Sequence, residues 1–208
     1  MARDKTPLQR KLPVRERVLD AAERLLAQGS ATFSMRELAD EAEVSFATPF
    51  NQFGSKGSIM LALSARRIAL MRERLAQATL PETAVARVLI AVDIARAVML
   101  GAPAVNRAVM GAISAPSDEP GNVLSHSSLL WTEALGAGTG LAAGTRALAL
   151  AVLPDQLAFA FRGVLSFWTA GELTDALLSQ RARAAAATVL LAFVERQDRA
   201  QLFALLEE

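Results

Sequence analysis

The sequence predicts an all-α chain: a three-helix N-terminal domain of helix-turn-helix type, followed by a longer helical remainder. Three observations carry this. The 208 residues are 52% hydrophobic, rich in Ala and Leu, and almost lack the apolar–polar alternation of a half-buried strand. Helix start and stop signals crowd into Ser34 to Ser58, SMRELADEAEVSFATPFNQFGSKGS. No Asp or Glu stands between Val44 and Arg72, although the chain holds 21 acids. Lys56, Arg66, Arg67 and Arg72 lie in that window, as a phosphate-facing surface requires.

Composition bounds the chemistry. The length allows one or two domains with a sizeable core. A net charge of +1 is no bulk polycation, so any DNA binding rests on local placement of charge. The absence of Cys excludes disulfides, thiolate catalysis and Cys-based zinc sites. The start, MARDKTPLQRKLP, has no apolar stretch after its charges and does not read as a secretory leader. The longest charge-free apolar run of the last long helix, Ala184 to Val194, is shorter than the about 20 residues that span a bilayer. The expectation is a cytoplasmic protein with no membrane partner.

Residues 1–12 carry Arg3, Lys5, Arg10 and Lys11 against Asp4 and read as a flexible basic tail, or else as an arm that touches DNA. Pro13 suits the first position of a helix. Val14, Val18, Ala22, Leu25 and Leu26 follow at helical spacing until Gly29, and Arg15, Glu16 and Glu23 read as a solvated face. Ser34 and Glu37 have the spacing of a capping box, with Phe33 and Leu38 as a hydrophobic staple, so a helix is expected over about Met35 to Ala42. Glu43-Val44-Ser45 breaks it, and Ser45 is a good N-cap for the next helix, about Phe46 to Phe53, which Gly54 stops. Pro49 leaves two registers open. With Ser45 as cap, Pro49 is the fourth helical residue and distorts the first turn. With Thr48 as cap, it is the first, and barely one turn remains. Ser55 then caps a long helix from Lys56 to about Gln77, with Ile59, Leu63, Ile68 or Ala69, and Leu70 as its apolar stripe.

Pro81 opens the next predicted helix, with Glu82 at its positive end; it runs to Leu100 and Gly101. A short helix spans Pro103 to Ile113. Ser114 to Gly121, SAPSDEPG, is the most loop-like stretch. Helix returns from Asn122 to about Gly136. Gly136 to Gly140 invites a nucleotide-loop reading, but no strand precedes it and no Gly-Lys-Ser/Thr follows, so it is a turn between helices. Leu148 to Gly171 and Thr174 to about Arg196 are the last long helices, with Ala200 to Leu206 as a coda. Arg181 and Arg183 read as a solvated face.

Two short helices joined by a tight turn match the helix-turn-helix, whose second helix enters the DNA major groove. Ser34-Met-Arg-Glu-Leu-Ala, Val44-Ser-Phe-Ala-Thr-Pro-Phe and Phe53-Gly-Ser-Lys56 closely resemble the DNA-binding domain of the TetR family of transcriptional repressors. The resemblance is dense from about Val14 to Leu63 and only architectural beyond. It implies a DNA-binding domain over 13–60 and a ligand-binding and dimerisation domain over 61–208. Its partners would be double-stranded DNA, a second copy in a homodimer, and an unidentified, largely apolar small molecule. No cofactor, metal or catalytic residue is expected, and the scarcity of His and absence of Tyr and Cys argue against an enzyme.

The candidate DNA-binding residues are Ser34, Arg36, Ser45, Phe46, Ala47, Thr48, Phe50, Asn51 and Lys56. Thr48, Ser34 and Lys56 match positions where the family commonly holds phosphates, and Arg36 one that reaches a base or the backbone. Phe46 and Ala47 begin the recognition helix, where apolar side chains could meet a thymine methyl, and Asn51 could pair with adenine. Phe50 stands where the family usually has Tyr and so lacks that hydroxyl. The candidate ligand-binding residues are Met99, Asn106, Met110, His126, Trp131, Phe159, Arg162 and Trp168, with Phe161 beside them. The resemblance also implies a four-helix dimer interface built from the last two long helices. The competing reading is a helical sensor that binds a small molecule or a protein without reading DNA.

Overall fold

A computed structural model describes residues 12–29, 33–115, 121–196 and 199–207. They form ten α-helices: α1 Val14–Ala27, α2 Met35–Ala42, α3 Ala47–Phe53, α4 Lys56–Gln77, α5 Ala84–Leu100, α6 Pro103–Ala112, α7 Val123–Leu135, α8 Arg146–Thr169, α9 Asp175–Leu190 and α10 Arg199–Glu207. Among the described residues, strand-type pairing is limited to one isolated antiparallel bridge, Leu141 with Val194. The basic tail and most of SAPSDEPG lie outside the described residues.

Two compact units emerge. One takes the chain up to Leu63 together with Ala104–Ala115; the other takes Ser64–Pro103 and the chain after Ala115. In the first, α1 packs on α2 and α3, closing a core of Val18, Leu19, Ala22, Leu26, Phe33, Leu38, Ala42, Phe53, Ile59 and Leu63. In the second, α8 packs against α7 and α9, and α5 against both. Its core is Val88, Val92, Leu130, Trp131, Leu153, Leu157, Phe161, Leu165, Trp168, Leu178 and Leu190.

Several boundaries move, each for a local reason. α5 starts at Ala84 rather than Pro81, because Thr83 is its N-cap and its hydroxyl accepts from the Ala86 N–H. α9 ends at Leu190; a turn over residues 191–193 follows, and the Leu141–Val194 bridge carries the chain away. On α4 the buried residues beyond Leu63 are Ser64, Met71 and Leu75, not Leu70. Arg183 is not simply solvated: its guanidinium donates to Asp93 Oδ2 at 2.6 Å, joining α9 to α5.

Helix α8, with the turn that leads into it, is long and apolar enough to cross a membrane by length and composition, which the sequence reading did not anticipate. Its buried residues Ala149, Leu153, Leu157, Phe161, Leu165 and Trp168 recur at helical spacing and face α7 and α9, as expected of the central helix of a bundle.

Candidate nucleic-acid interface

The capping box forms as the spacing predicts. Ser34 Oγ accepts from the Glu37 N–H at 3.2 Å, and the Ser34 N–H donates to Glu37 Oε2 at 2.7 Å. Those bonds to Ser34 hold the Glu37 carboxyl below its ordinary range. The end of α2 is less expected. Glu43 is left-handed, at φ 57° and ψ 47°, and is the single non-glycine residue with positive φ among the described residues. The Val44 N–H reaches Ala39 O at 3.0 Å and the Glu43 N–H reaches Asp40 O at 3.1 Å, the two bonds of a Schellman closure. Arg17 completes it from α1, donating to Ala42 O at 2.8 Å and Glu43 O at 2.9 Å. The left-handed residue re-aims the chain within three residues, so that α3 crosses α2.

Pro49 settles in the first of the two registers. Phe46 is helical at φ −52°, ψ −35°, and Ala47 and Thr48 belong to α3. Proline has no N–H for the Ser45 carbonyl; the Thr48 N–H takes that oxygen instead, at 2.9 Å. The first turn is therefore tightened rather than lost, and the Pro49 ring is buried. Ser45 does not cap with its side chain. Its hydroxyl pairs with Thr48 Oγ1 at 2.8 Å. Gly54, at φ 76°, ends α3, and Ser55 Oγ caps α4 by accepting from the Ser58 N–H at 3.1 Å.

With Pro49 and Phe53 turned inward, the opposite face of α3 is open. Ser45, Phe46, Ala47, Phe50 and Asn51 are exposed, as are Ser34 and Arg36 on α2, while Thr48 and Lys56 are half-buried. Phe46 and Phe50 remain 53% and 41% accessible and pack edge to face, 5.4 Å between centroids. The Arg36 guanidinium lies 5.6 Å from the Phe46 ring centre. The sequence-predicted DNA-binding residues therefore fall on α2, α3 and the start of α4, within one unit.

Lys56 is tied down. Its ammonium donates to Phe33 O at 2.9 Å and lies 4.3 Å from the Phe33 ring centre. Burial lowers its pKa, partly offset by Glu37. This clamp fixes the position of the ammonium at the start of α4. Arg15, read from the sequence as solvated, donates to Gln52 O at 2.9 Å and stacks 4.2 Å from the Phe53 ring, closing the end of α3. Arg72 is taken up by an acid: it forms an exposed ion pair with Glu133 of α7, 61 residues away in sequence. The acid-free window of the sequence is thus not acid-free in space.

The ligand candidates scatter. Met99, His126, Trp131, Arg162 and Trp168 belong to the second unit, whereas Asn106 and Met110 lie on α6 in the first, both buried. Phe159 is a correction: it is 51% exposed, because two residues from buried Leu157 and Phe161 is roughly half a helical turn. Trp168 is bonded, its Nε1 donating to Asp175 Oδ1 at 2.7 Å. Trp131 is 1% exposed and meets Phe161 edge-on at 5.7 Å, but its Nε1 has no hydrogen-bond partner. Burial lowers the pKa of Arg162, and Asn122 Nδ2 lies 3.2 Å from His126 Nε2. No cluster of metal-ligating side chains occurs among the described residues.

Residues 18–63 match the family profile described as bacterial regulatory proteins, tetR family. No curated protein matches the sequence at a significant level. Among solved structures, a TetR transcriptional regulator of Rhodococcus sp. RHA1 is similar at 21% identity and TM-score 0.69, over 85% of this chain and 96% of that one. A protein of Shewanella sp. PV-4, described as a tetR-family transcription regulator, is similar at 15% identity and TM-score 0.59, over 89% of this chain and all of that one. At these identities the likeness is one of fold.

Proposed function

We propose that this chain, a member of the TetR family of transcriptional regulators through its residues 18–63, is a cytoplasmic repressor that binds a pseudo-palindromic operator as a homodimer and is released by a small molecule. The observation that carries the DNA half is the open face of α3, with Phe46, Ala47, Phe50 and Asn51 exposed on a helix whose other side is buried. One helix of seven residues reads few base pairs. A two-fold dimer presents two such helices to half-sites about 34–36 Å apart or a multiple of that spacing.

Support for the dimer lies on α8 and α9. Leu148, Phe159 and Phe167 of α8 and Leu177 of α9 are exposed, an apolar stripe that a second copy would cover. Support for an effector lies at Trp131. A buried indole N–H without an acceptor costs about 1–3 kcal/mol, and a ligand oxygen would satisfy it. The effector would act by preferring the conformation that binds the operator less well.

A mobility-shift assay on the DNA upstream of its own gene tests the reading. Lys56→Ala should weaken binding to all sequences alike, whereas Asn51→Ala should relax preference at one base pair. Equal behaviour of the two variants would overturn the assigned roles, and no retarded complex would overturn the DNA reading. If no small molecule changes operator affinity, the regulatory half fails and the DNA half stands.

A further inference from the structure

The pair Phe46 and Phe50 is the least explained feature of the exposed face. Both rings sit one helical turn apart, and about half of each is open to solvent. The unit's two other described phenylalanines, Phe33 and Phe53, are buried in its core. Two large apolar rings left side by side on a small domain mark a contact surface rather than a stability feature. The rings are locked edge to face at 67°, and the Arg36 guanidinium lies over Phe46, so both are held in place before any partner arrives.

We infer that Phe46 and Phe50 form an apolar reading surface for thymine C5-methyl groups, so that each operator half-site carries thymine at the base pairs opposite these rings. This inference rests on the DNA reading above and names what the face recognises. The chemistry narrows the choice. Neither ring has a donor or acceptor, so neither can read a hydrogen-bonding edge. In the major groove the single apolar group a base pair presents is the methyl of thymine. Insertion between base steps belongs to proteins that bind and kink the minor groove, whereas the second helix of a helix-turn-helix enters the major groove. Ala47, exposed beside them on the helix, keeps the surface shallow enough for close approach. Arg36, stacked on Phe46, acts as a positioning residue for that ring.

The test uses the full-length chain and duplexes selected from a random pool by that chain. Each thymine of the selected half-site is replaced in turn by deoxyuridine, which removes the methyl and keeps every hydrogen bond. For the wild-type chain, at least one replacement per half-site should weaken binding about fourfold, the effect of one buried methyl. Phe46→Ala and Phe50→Ala should each bind thymine and deoxyuridine duplexes more nearly alike at the position their ring covers. Phe46→Leu, which keeps an apolar contact, should retain part of the ratio, and Arg36→Ala should lower it. Both rings are exposed, so an unchanged melting temperature identifies variants that fold. A wild-type ratio of one at every position would overturn the inference, as would Phe46→Ala and Phe50→Ala variants with an unaltered ratio. A protein partner on this face predicts that result. If the pool yields no preferred sequence, the DNA reading itself has failed, which is a different outcome.

Discussion

In the first unit most ties run from side chains to helix ends, Arg17 to the carbonyls of Ala42 and Glu43, Arg15 to Gln52, Lys56 to Phe33, beside one ion pair between helices, Arg24 of α1 with Glu41 of α2. In the second they include ion pairs across helix flanks, Arg183 with Asp93 and Arg72 with Glu133, over a core of aliphatic and indole side chains. The difference fits what each unit is proposed to do. A face that must meet an outside surface needs its short helices aimed, and aiming is done at their ends. A bundle that must enclose a ligand needs its helices spaced, and spacing is set along their flanks. The polar groups left over differ accordingly. Among the described residues, the buried side-chain donors and acceptors without a partner, Arg87 Nε, Arg96 Nε, Trp131 Nε1 and Thr169 Oγ1, all lie in the second unit.

The two indoles sharpen this contrast most. Both lie in the second unit's core and differ in whether the N–H is bonded. Trp168→Phe and Trp131→Phe remove the same volume, but only the first strips Asp175 of a donor. We expect Trp168→Phe to cost about 1–3 kcal/mol more than Trp131→Phe in urea unfolding. Equal losses would mean that the Trp131 N–H is as well satisfied as that of Trp168, removing the support for an acceptor-bearing ligand. In the first unit, Arg17→Ala should cost about 1–2 kcal/mol, since it strips a charged donor from two carbonyls at the end of α2. A change within error would show that aiming does not depend on the helix end.

The smallest expected effect is a gain. Glu43 holds a left-handed conformation that costs an L-residue roughly 1 kcal/mol, so Glu43→Gly should raise the unfolding free energy by somewhat less than that, because glycine is freer in the unfolded chain. Its reading is the denaturant midpoint at unchanged slope. A loss would mean that the Glu43 side chain contributes more than the backbone strain removes.

How much of this was legible follows the reach of each signal. The capping box at Ser34 and Glu37, the stops at Gly54 and Gly29, and the open positions 46, 47, 50 and 51 all rest on neighbours within four residues, and they stand as read. Pro49 was legible as a problem. Its solution, the Thr48 N–H on Ser45 O, required knowing that the ring is buried. Arg17 was silent, because its acceptors lie 25 and 26 residues away. Arg183 and Asp93 are 90 residues apart, and no local pattern joins them. Phe159 misled because apolar character does not say which side of a helix faces the bundle when both sides are apolar. The ligand candidates were chosen by residue type within the helices that the resemblance assigns to the ligand domain, and of these Asn106 and Met110 turn up in the other unit.

The central claim is that the open face of α3 reads base pairs, two copies at a time. Enrichment of double-stranded DNA from a random pool by the full-length chain, followed by sequencing, tests it directly. The account predicts an inverted repeat whose half-sites lie one helical turn or a multiple apart, lost when Phe46, Phe50 and Asn51 are all replaced by Ala while the fold is kept. A pool that stays random, or an enriched sequence that survives the triple replacement, would contradict it.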